Sequence, residues 1–247
     1  MDAVKENKKI YFISDIHLLF EEDDAERVKR KKLYLFFEKL KKKDILVIAG
    51  DLFDFWFEWY HVIPKYWFEV FHRFKNMIDS GIIIHFITGN HDFTFGDYLT
   101  DSIGIKCHNE SMELKEDEKT FYIAHGDGLA KKDRGYRFLK RVMRNRLSKF
   151  LFKIFVHPDL GIQISKWASH SSRKMVKIDK IAWSEEYFEY AKTKFDESFN
   201  YVVMGHLHTP MRRVTDDGRI YLNTGDWMHH FSYGVFDGKD LKLEFFK

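Results

Sequence analysis

Five short apolar runs in this chain each stop at a cluster of Gly, Asp, Asn or His. They are "KIYFISDIH" (9–17), "DILVIAGDLFD" (44–54), "IIIHFITGNHD" (82–92), "FYIAHGDG" (121–128) and "YVVMGHLH" (201–208). Runs this brief, rich in β-branched residues and closed by a turn signal, read as buried strands. "RIYLNTGDW" (219–227), "SYGVFD" (232–237) and "LKLEFF" (241–246) read as later strands. Between the first two strands, "ERVKRKKLYLFFEKLKKK" (26–43) gathers Leu33, Leu35, Phe36, Phe37 and Leu40 between basic flanks, the mark of a helix. "PKYWFEVFHRFKNMID" (64–79) is another, with Pro64 well placed at its start. Alternation of strand and helix predicts an α/β sheet with helices on both faces. Ligands of such sheets gather outside the carboxyl ends of the strands, where this chain concentrates its Asp, Asn and His.

Only three prolines occur in 247 residues, with no repeat and no linker-like stretch. The expectation is one domain, 1–247, with a helical insert at about 129–198. A hydrophobic share of 45% and a charged share of 32% suit a soluble protein with a real core. Cys107 stands alone, so no internal disulfide forms, which fits a reducing compartment. "MDAVKENKK" has no apolar segment of a secretory signal, and no run approaches the roughly 20 apolar residues of a spanning helix. A cytoplasmic protein is expected, one that can still touch a membrane face.

The strand ends carry Asp15 and His17, then Asp51 and Asp54, then Asn90, His91 and Asp92, then His125 and Asp127, then His206 and His208. One Asp after a strand is ordinarily a turn former, and one His is ordinarily a hydrogen-bonded structural residue. Five such endings at equivalent positions point instead to a shared site. Alternate residues of a strand share a face, so Asp15 and His17 aim together, as do His206 and His208 if the strand stays extended. Imidazole mixed with oxygen ligands suits Mn, Fe or Zn. Asp15, His17, Asp51, Asn90, His125, His206 and His208 are more than one ion needs. Shared between two ions about 3.5–4 Å apart, they would clamp a phosphoryl group and activate water.

The ordered set "SDIH … GDLFD … GNHD … HGD … GHLH", spanning 14–208, resembles the calcineurin-like metallophosphoesterases. The resemblance implies a double β-sheet sandwich flanked by helices, with Asp51 bridging two metal ions. Asp15, His17 and His208 would complete one ion site, and Asn90, His125 and His206 the other. His91 looks like the family's histidine that hydrogen-bonds the phosphoryl oxygen or helps the leaving group, with Asp92 orienting its ring. Asp54 would hold a neighbouring ligand or cap a turn. With all seven ligands and His91 present, a decayed, non-catalytic scaffold is disfavoured.

Basic charge is concentrated in one region. Residues 131–180 carry 15 Lys or Arg against Asp133, Asp159 and Asp179, a net +12 in a chain of net +3. Within it, "RFLKRVMRNRLSKFLFKIF" (137–155) sets an apolar stripe of Leu139, Val142, Met143, Leu147, Phe150, Leu151, Ile154 and Phe155 beside Lys140, Arg141, Arg144, Lys149 and Lys153. Such a helix is ordinarily a core-packed helix with a solvated face. Beside a phosphoesterase centre it reads as a lid for a substrate with acyl chains and phosphates, or as a surface for an anionic membrane. Phe150, Phe152, Phe155 and Trp167 would line an acyl groove or pack the lid on the body. Nucleic acid is not an expected partner, because the charge is interleaved with apolar residues rather than spread along a groove.

"GDLFDFW", "HGDGLAKKDRGYRF", "GHLHTP" and "NTGDW" resemble the UDP-2,3-diacylglucosamine hydrolases of lipid A biosynthesis over most of the chain. This implies manganese at the metal pair, Fe or Zn being compatible with the ligand types. It also implies an acylated UDP-sugar as substrate, cleaved to UMP and 2,3-diacylglucosamine 1-phosphate by attack of activated water on the α-phosphorus. The place of work would be the cytoplasmic face of a bacterial inner membrane. Asn90, His91, Asp133 and Tyr136 would lie near the substrate, with Ser171, Ser172, Arg173 and Lys174 where the lid meets phosphates or sugar. Many members of that family carry "GNRD" where this chain has "GNHD", the wider superfamily's form. The alternative is a calcineurin-like phosphodiesterase or phosphatase acting on another nucleotide or phosphoester.

Overall fold

The computed structural model describes residues 8–92, 94–129, 134–175 and 180–247. β1 (Ile10–Ile13), β2 (Ile45–Ile48), β3 (Ile83–Ile87) and β4 (Lys106–His108) run parallel. β10 (Ser232–Phe236) joins antiparallel to β1, and β11 (Leu241–Phe245) to β10, completing a six-stranded sheet. A five-stranded sheet follows the order β5 (Ser111–Glu116), β6 (Lys119–Ala124), β7 (Tyr201–Met204), β9 (Ile220–Asn223), β8 (Met211–Val214). Its central strands β6, β7 and β9 are parallel and its edges antiparallel.

Each sheet buries both faces, which is why its central strands read as unbroken apolar runs. Ile10 and Phe12 of β1 point into a core between the sheets, against Phe121, Ile123, Val203 and Leu222. Tyr11 and Ile13 point the other way, into a core with α1 (Asp24–Phe37) and α2 (Phe68–Asp79), built from Leu33, Phe36, Phe71 and Phe74. On the far side of the second sheet, Val202, Met204 and Tyr221 pack on Tyr187, Ala191 and Phe195 of α6 (Lys180–Asp196). The layers are helices, sheet, sheet, helix. Strand–helix alternation alone implied helices on both faces of one sheet; here each sheet gives one face to helices and the other to its partner sheet.

Helix boundaries follow local chemistry. Asp23 caps α1 by accepting the Glu26 N–H at 2.7 Å, and the helix ends at Phe37, short of the 26–43 stretch. A 3-10 turn, Lys65–Trp67, follows Pro64 and leads into α2. Between β6 and β7 run α3 (Arg134–Arg144), α4 (Arg146–Phe155), α5 (Pro158–Met175) and α6. The periodic stretch 137–155 is therefore not one helix. Asn145 breaks it, capping α4 by accepting the Leu147 N–H at 2.8 Å. No helix among the described residues is long and apolar enough to cross a membrane.

Candidate metal centre

The strands stop before the site begins. β1 ends at Ile13 and β7 at Met204, and the residues beyond turn left-handed: Asp15 at φ 53°, His17 at 46°, Asp51 at 54°, His206 at 68° and His208 at 51°. Of the ten non-glycine residues with positive φ among those described, these are five. Backbone strain of this kind costs of order 1–3 kcal/mol per residue and persists only where the surroundings impose it. The pairs Asp15/His17 and His206/His208 thus converge through sharp left-handed turns, not through the extended alternation expected of a continuing strand.

Asp51 is central. Its Oδ2 lies 3.2 Å from His125 Nε2 and 3.7 Å from His17 Nε2, while its Oδ1 accepts the His91 N–H at 2.9 Å. To one side, Asp15 Oδ1 faces His208 Nε2 at 3.4 Å and His17 Nε2 at 4.0 Å. To the other, Asn90 Oδ1 lies 3.0 Å from His125 Nε2 and 2.9 Å from His206 Nδ1, with those two nitrogens 3.3 Å apart. The candidate ligand atoms of Asp15, His17 and His208 lie within 4.8 Å of one another, as do those of Asp51, His125 and His206. Glycines make room: a Cβ on Gly50 (φ +88°) would stand 2.5 Å from the His125 ring.

These groups fit divalent cations. Asp15 Oδ1 and His17 Nε2 are buried and have no hydrogen-bond partner among the described residues, an arrangement that costs free energy unless something else satisfies them. Burial pushes the Asp15 carboxyl above its ordinary value, so a nearby cation is what would keep it ionised. Burial and the neighbouring His125 ring hold His206 down to about 3, and burial with His91 holds His17 well below its ordinary value, so both rings are neutral and ready to ligate. Burial opposes ionisation of Asp51, yet the surrounding His125 and His91 rings hold its carboxyl well below the usual range. His125 Nδ1 meets the Ala49 carbonyl at 2.8 Å, which orients the ring with Nε2 toward Asp51. Burial opposes its charge, yet the Asp51 carboxylate pushes the ring up to about 10, so a cation taking Nε2 would displace a proton.

A family model described as "Calcineurin-like phosphoesterase" matches residues 8–210. The chain belongs to the calcineurin-like phosphoesterases. It is a metal-dependent hydrolase with the double-sheet architecture of that family. Among its relatives, the UDP-2,3-diacylglucosamine hydrolase of Porphyromonas gingivalis is 30% identical over 96% of this chain and 97% of its own length. That of Photobacterium profundum is 29% identical over 94% of this chain and 95% of its own. The Pseudomonas putida enzyme of the same name is 27% identical over 88% and 90%.

Within this phosphoesterase, His91 and Asp92 are placed differently from the expectation that one orients the other. His91 Nδ1 lies 2.7 Å from the main-chain carbonyl of Asp54, and that carbonyl, not Asp92, orients the ring. His17, Asp54 and His91 form a third grouping beside the first. The Asp92 carboxylate points away into the backbone. Its oxygens accept the N–H groups of Gly89 at 2.8 Å, Asp51 at 3.0 Å and Leu52 at 2.7 Å. Burial and the Asp51 charge push this carboxyl up to about 7, against the Gly89 and Asp51 N–H groups, which favour its ionised form. Asp92 therefore ties the loop of Asp51 to the loop of Asn90. Asp92→Ala is expected to lower stability by about 3 kcal/mol or more, each buried N–H left without an acceptor costing about 1–3 kcal/mol. A denaturant midpoint unchanged from wild type would remove this role.

Other residues of the site were not singled out from the sequence. Asp226 Oδ2 lies 3.6 Å from His208 Nδ1, and its Oδ1 accepts the N–H groups of Met228, His229 and His230. Ser14 Oγ hydrogen-bonds the Asp15 carboxylate and stands 2.6 Å from Thr224 Oγ1. Asn223 Nδ2 donates to the Gly205 carbonyl at 2.7 Å. Asn223, Thr224 and Asp226 belong to "NTGDW", a polar cluster closing an apolar run like the five others, and that was the available signal.

The expected lid residues divide. Asp133 lies outside the described residues. Tyr136 falls on α3, and Ser171, Ser172, Arg173 and Lys174 on α5, with side chains outside the description. Phe152 packs on Phe57 and Trp59 at ring distances of 4.8 and 6.0 Å, fastening α4 to the body. Phe150 lines a cavity of about 210 Å³ with Phe57, Tyr60, Phe95, Arg146, Lys149 and Lys153. Burial and its cationic neighbours Lys153, Arg146 and Arg144 pull the Lys149 ammonium below its ordinary value, a crowding of like charge that an anion would relieve. Lys149 also donates to Thr94, and Arg144 to Thr88, either side of Asn90. Phe155 and Trp167 are instead 76% and 73% exposed; Leu147, Leu151 and Ile154 of α4 are exposed as well.

Proposed function

We propose that this phosphoesterase hydrolyses the pyrophosphate of UDP-2,3-diacylglucosamine, releasing UMP and 2,3-diacylglucosamine 1-phosphate through attack of water on the α-phosphorus. The observation that carries the reading is the cavity under α4, with aromatic walls, three cations and the buried Glu58, reaching Thr94, which follows the Asn90–Asp92 segment. The names of relatives aligned over nearly the whole chain support it. Asp15, His17 and His208 would hold one divalent ion and Asn90, His125 and His206 the other, with Asp51 serving both; manganese is the proposed metal. When bound, the ions polarise phosphoryl oxygens and make water a better nucleophile at neutral pH.

The chain's own groups do the rest. Asp226 and the Ala49 carbonyl hold the His208 and His125 rings in place. His91 spends its Nδ1 proton on the Asp54 carbonyl, so Nε2 donates to a phosphoryl oxygen only when the ring is doubly protonated. In that form it carries the charge that Arg carries in the "GNRD" pattern. Lys149, Lys153 and Arg146 attract the diphosphate, and the aromatic walls take apolar parts of the substrate. The exposed apolar residues of α4 and α5, with the basic residues of the same helices, rest on the anionic cytoplasmic surface of a bacterial inner membrane. A small soluble phosphoester would need neither this face nor the aromatic cavity.

The test is UMP release with added Mn from UDP-2,3-diacylglucosamine and from UDP-sugars without acyl chains. Fast, acyl-dependent release is expected. Absence of release alongside good turnover of a small phosphodiester would move the protein to another phosphoester substrate.

A further inference from the structure

α1 buries three charged side chains, Glu26, Lys29 and Arg30, each less than 7% exposed. Its next turns bury Leu33, Phe36 and Phe37, so apolar residues would serve the packing of this face equally well. Buried ion pairs are often no more stabilising than apolar groups of the same volume. Their placement has another correlate. Lys29 Nζ donates to the His17 carbonyl at 2.6 Å and pairs with Glu26 at 2.6 Å. Arg30 pairs with Glu26 at 2.9 Å and donates to the Leu19 carbonyl at 2.7 Å, while Glu26 accepts the Leu19 N–H at 3.2 Å. All three thus end on the main chain of residues 17–19. On the opposite side, the His17 N–H is held by the Asp51 carbonyl at 3.0 Å. Both peptide groups flanking the His17 Cα are pinned, and this residue has a left-handed φ of 46°.

We propose that Lys29 is a positioning residue of the metal centre: with Glu26 fixing its ammonium, it holds the His17 carbonyl and thereby keeps the His17 ring turned toward Asp15 and Asp51. The inference rests on the reading of His17 as a ligand. It makes a distinctive claim about sign. A cation near the site disfavours a second cation by charge alone, so deleting Lys29 would tighten metal binding if charge were its role. Deleting a positioning group loosens it.

The experiment is Mn binding by isothermal titration to the full chain. Glu26→Gln/Lys29→Met, which removes both charges of the pair and leaves Arg30 with Glu22 as its carboxylate partner, is compared with wild type and His17→Ala. Removing an outer support of a ligand costs about 10–100-fold in metal affinity. The double variant is expected to weaken one Mn site by at least about tenfold, with turnover recovering at saturating Mn. Unchanged or tighter Mn binding overturns the inference. If the pair variant does not fold, Lys29→Gln, whose amide is too short to reach the carbonyl, gives the same reading. Should His17→Ala itself retain both ions, the ligand reading has failed. A lost ion in His17→Ala with none weakened in the Lys29 variants isolates the failure to Lys29.

Discussion

Asp51→Asn is expected to remove both metal ions and the activity together while the fold survives. Asp51 Oδ2 is the atom facing both His125 and His17. Its Oδ1 takes the His91 N–H. An asparagine that keeps the second contact through its amide oxygen turns its NH2 group toward the two ring nitrogens and offers a cation nothing. Neutralising this group also removes the negative charge against which the neighbouring rings are set. Because the residue organises two half-sites at once, the loss is expected at about 10⁴-fold or more, the scale of deleting a member of an interdependent catalytic set. Metal analysis of the purified variant, turnover at saturating Mn and circular dichroism check it. One retained ion with substantial turnover would show that the two half-sites do not share this carboxylate.

Gly89→Ala is the second large effect expected. A Cβ there would overlap the Asp51 carboxylate and stand 2.6 Å from the Asp51 nitrogen. Neither neighbour can give way easily. The Asp51 N–H is held by Asp92 at 3.0 Å and the carboxylate by the His91 N–H at 2.9 Å. Overpacking of this kind costs about 1–3 kcal/mol, which for a chain of this size lowers Tm by roughly 2–12 °C. Displacing the carboxylate by about 1 Å would cost about 10²-fold in rate. Gly218→Ala is the matched control. Its φ is +83°, but an added Cβ meets nothing within 4 Å, so it pays backbone strain without touching the site. Equal activity losses in the two variants would refute the steric account.

Much of this was readable in the sequence, and the parts that were not have physical reasons. Strands buried on both faces, β1, β2, β3, β6 and β7, announce themselves as apolar runs. β4, β5 and β8 were not read as strands. Each is a sheet edge, where alternating charge as in "SMELKE" or "MRRV" protects the rim and erases the apolar signature. The second sheet could not be read from periodicity, because an apolar run records burial on both sides but not whether a helix or another sheet covers it. At the site, residue types and spacing named the groups that meet around Asp51. They did not disclose the left-handed backbone that makes them meet, nor that Asp92 turns inward. Thr224 escaped because its partner Ser14 lies 210 residues away and meets it only where the two sheets face each other. Asp226 escaped because it reaches His208 only through the pairing of β7 with β9.

That facing arrangement carries a mechanical consequence. Asp15, His17, Asp51 and Asn90 leave the first sheet, and His125, His206 and His208 leave the second. The site is therefore the seam of the sandwich, already stitched by His125 to Ala49 and by Ser14 to Thr224. Any ion seated there is a rivet through both sheets, and whatever binds only the folded chain adds to its stability. Divalent ion concentration is then a variable of folding as much as of turnover. Stripping the ions would unpick the strand-end rim of the sandwich first, leaving its opposite end, where Lys8 pairs with Glu116 and Arg212 with Asp240 across the sheets, the last to part.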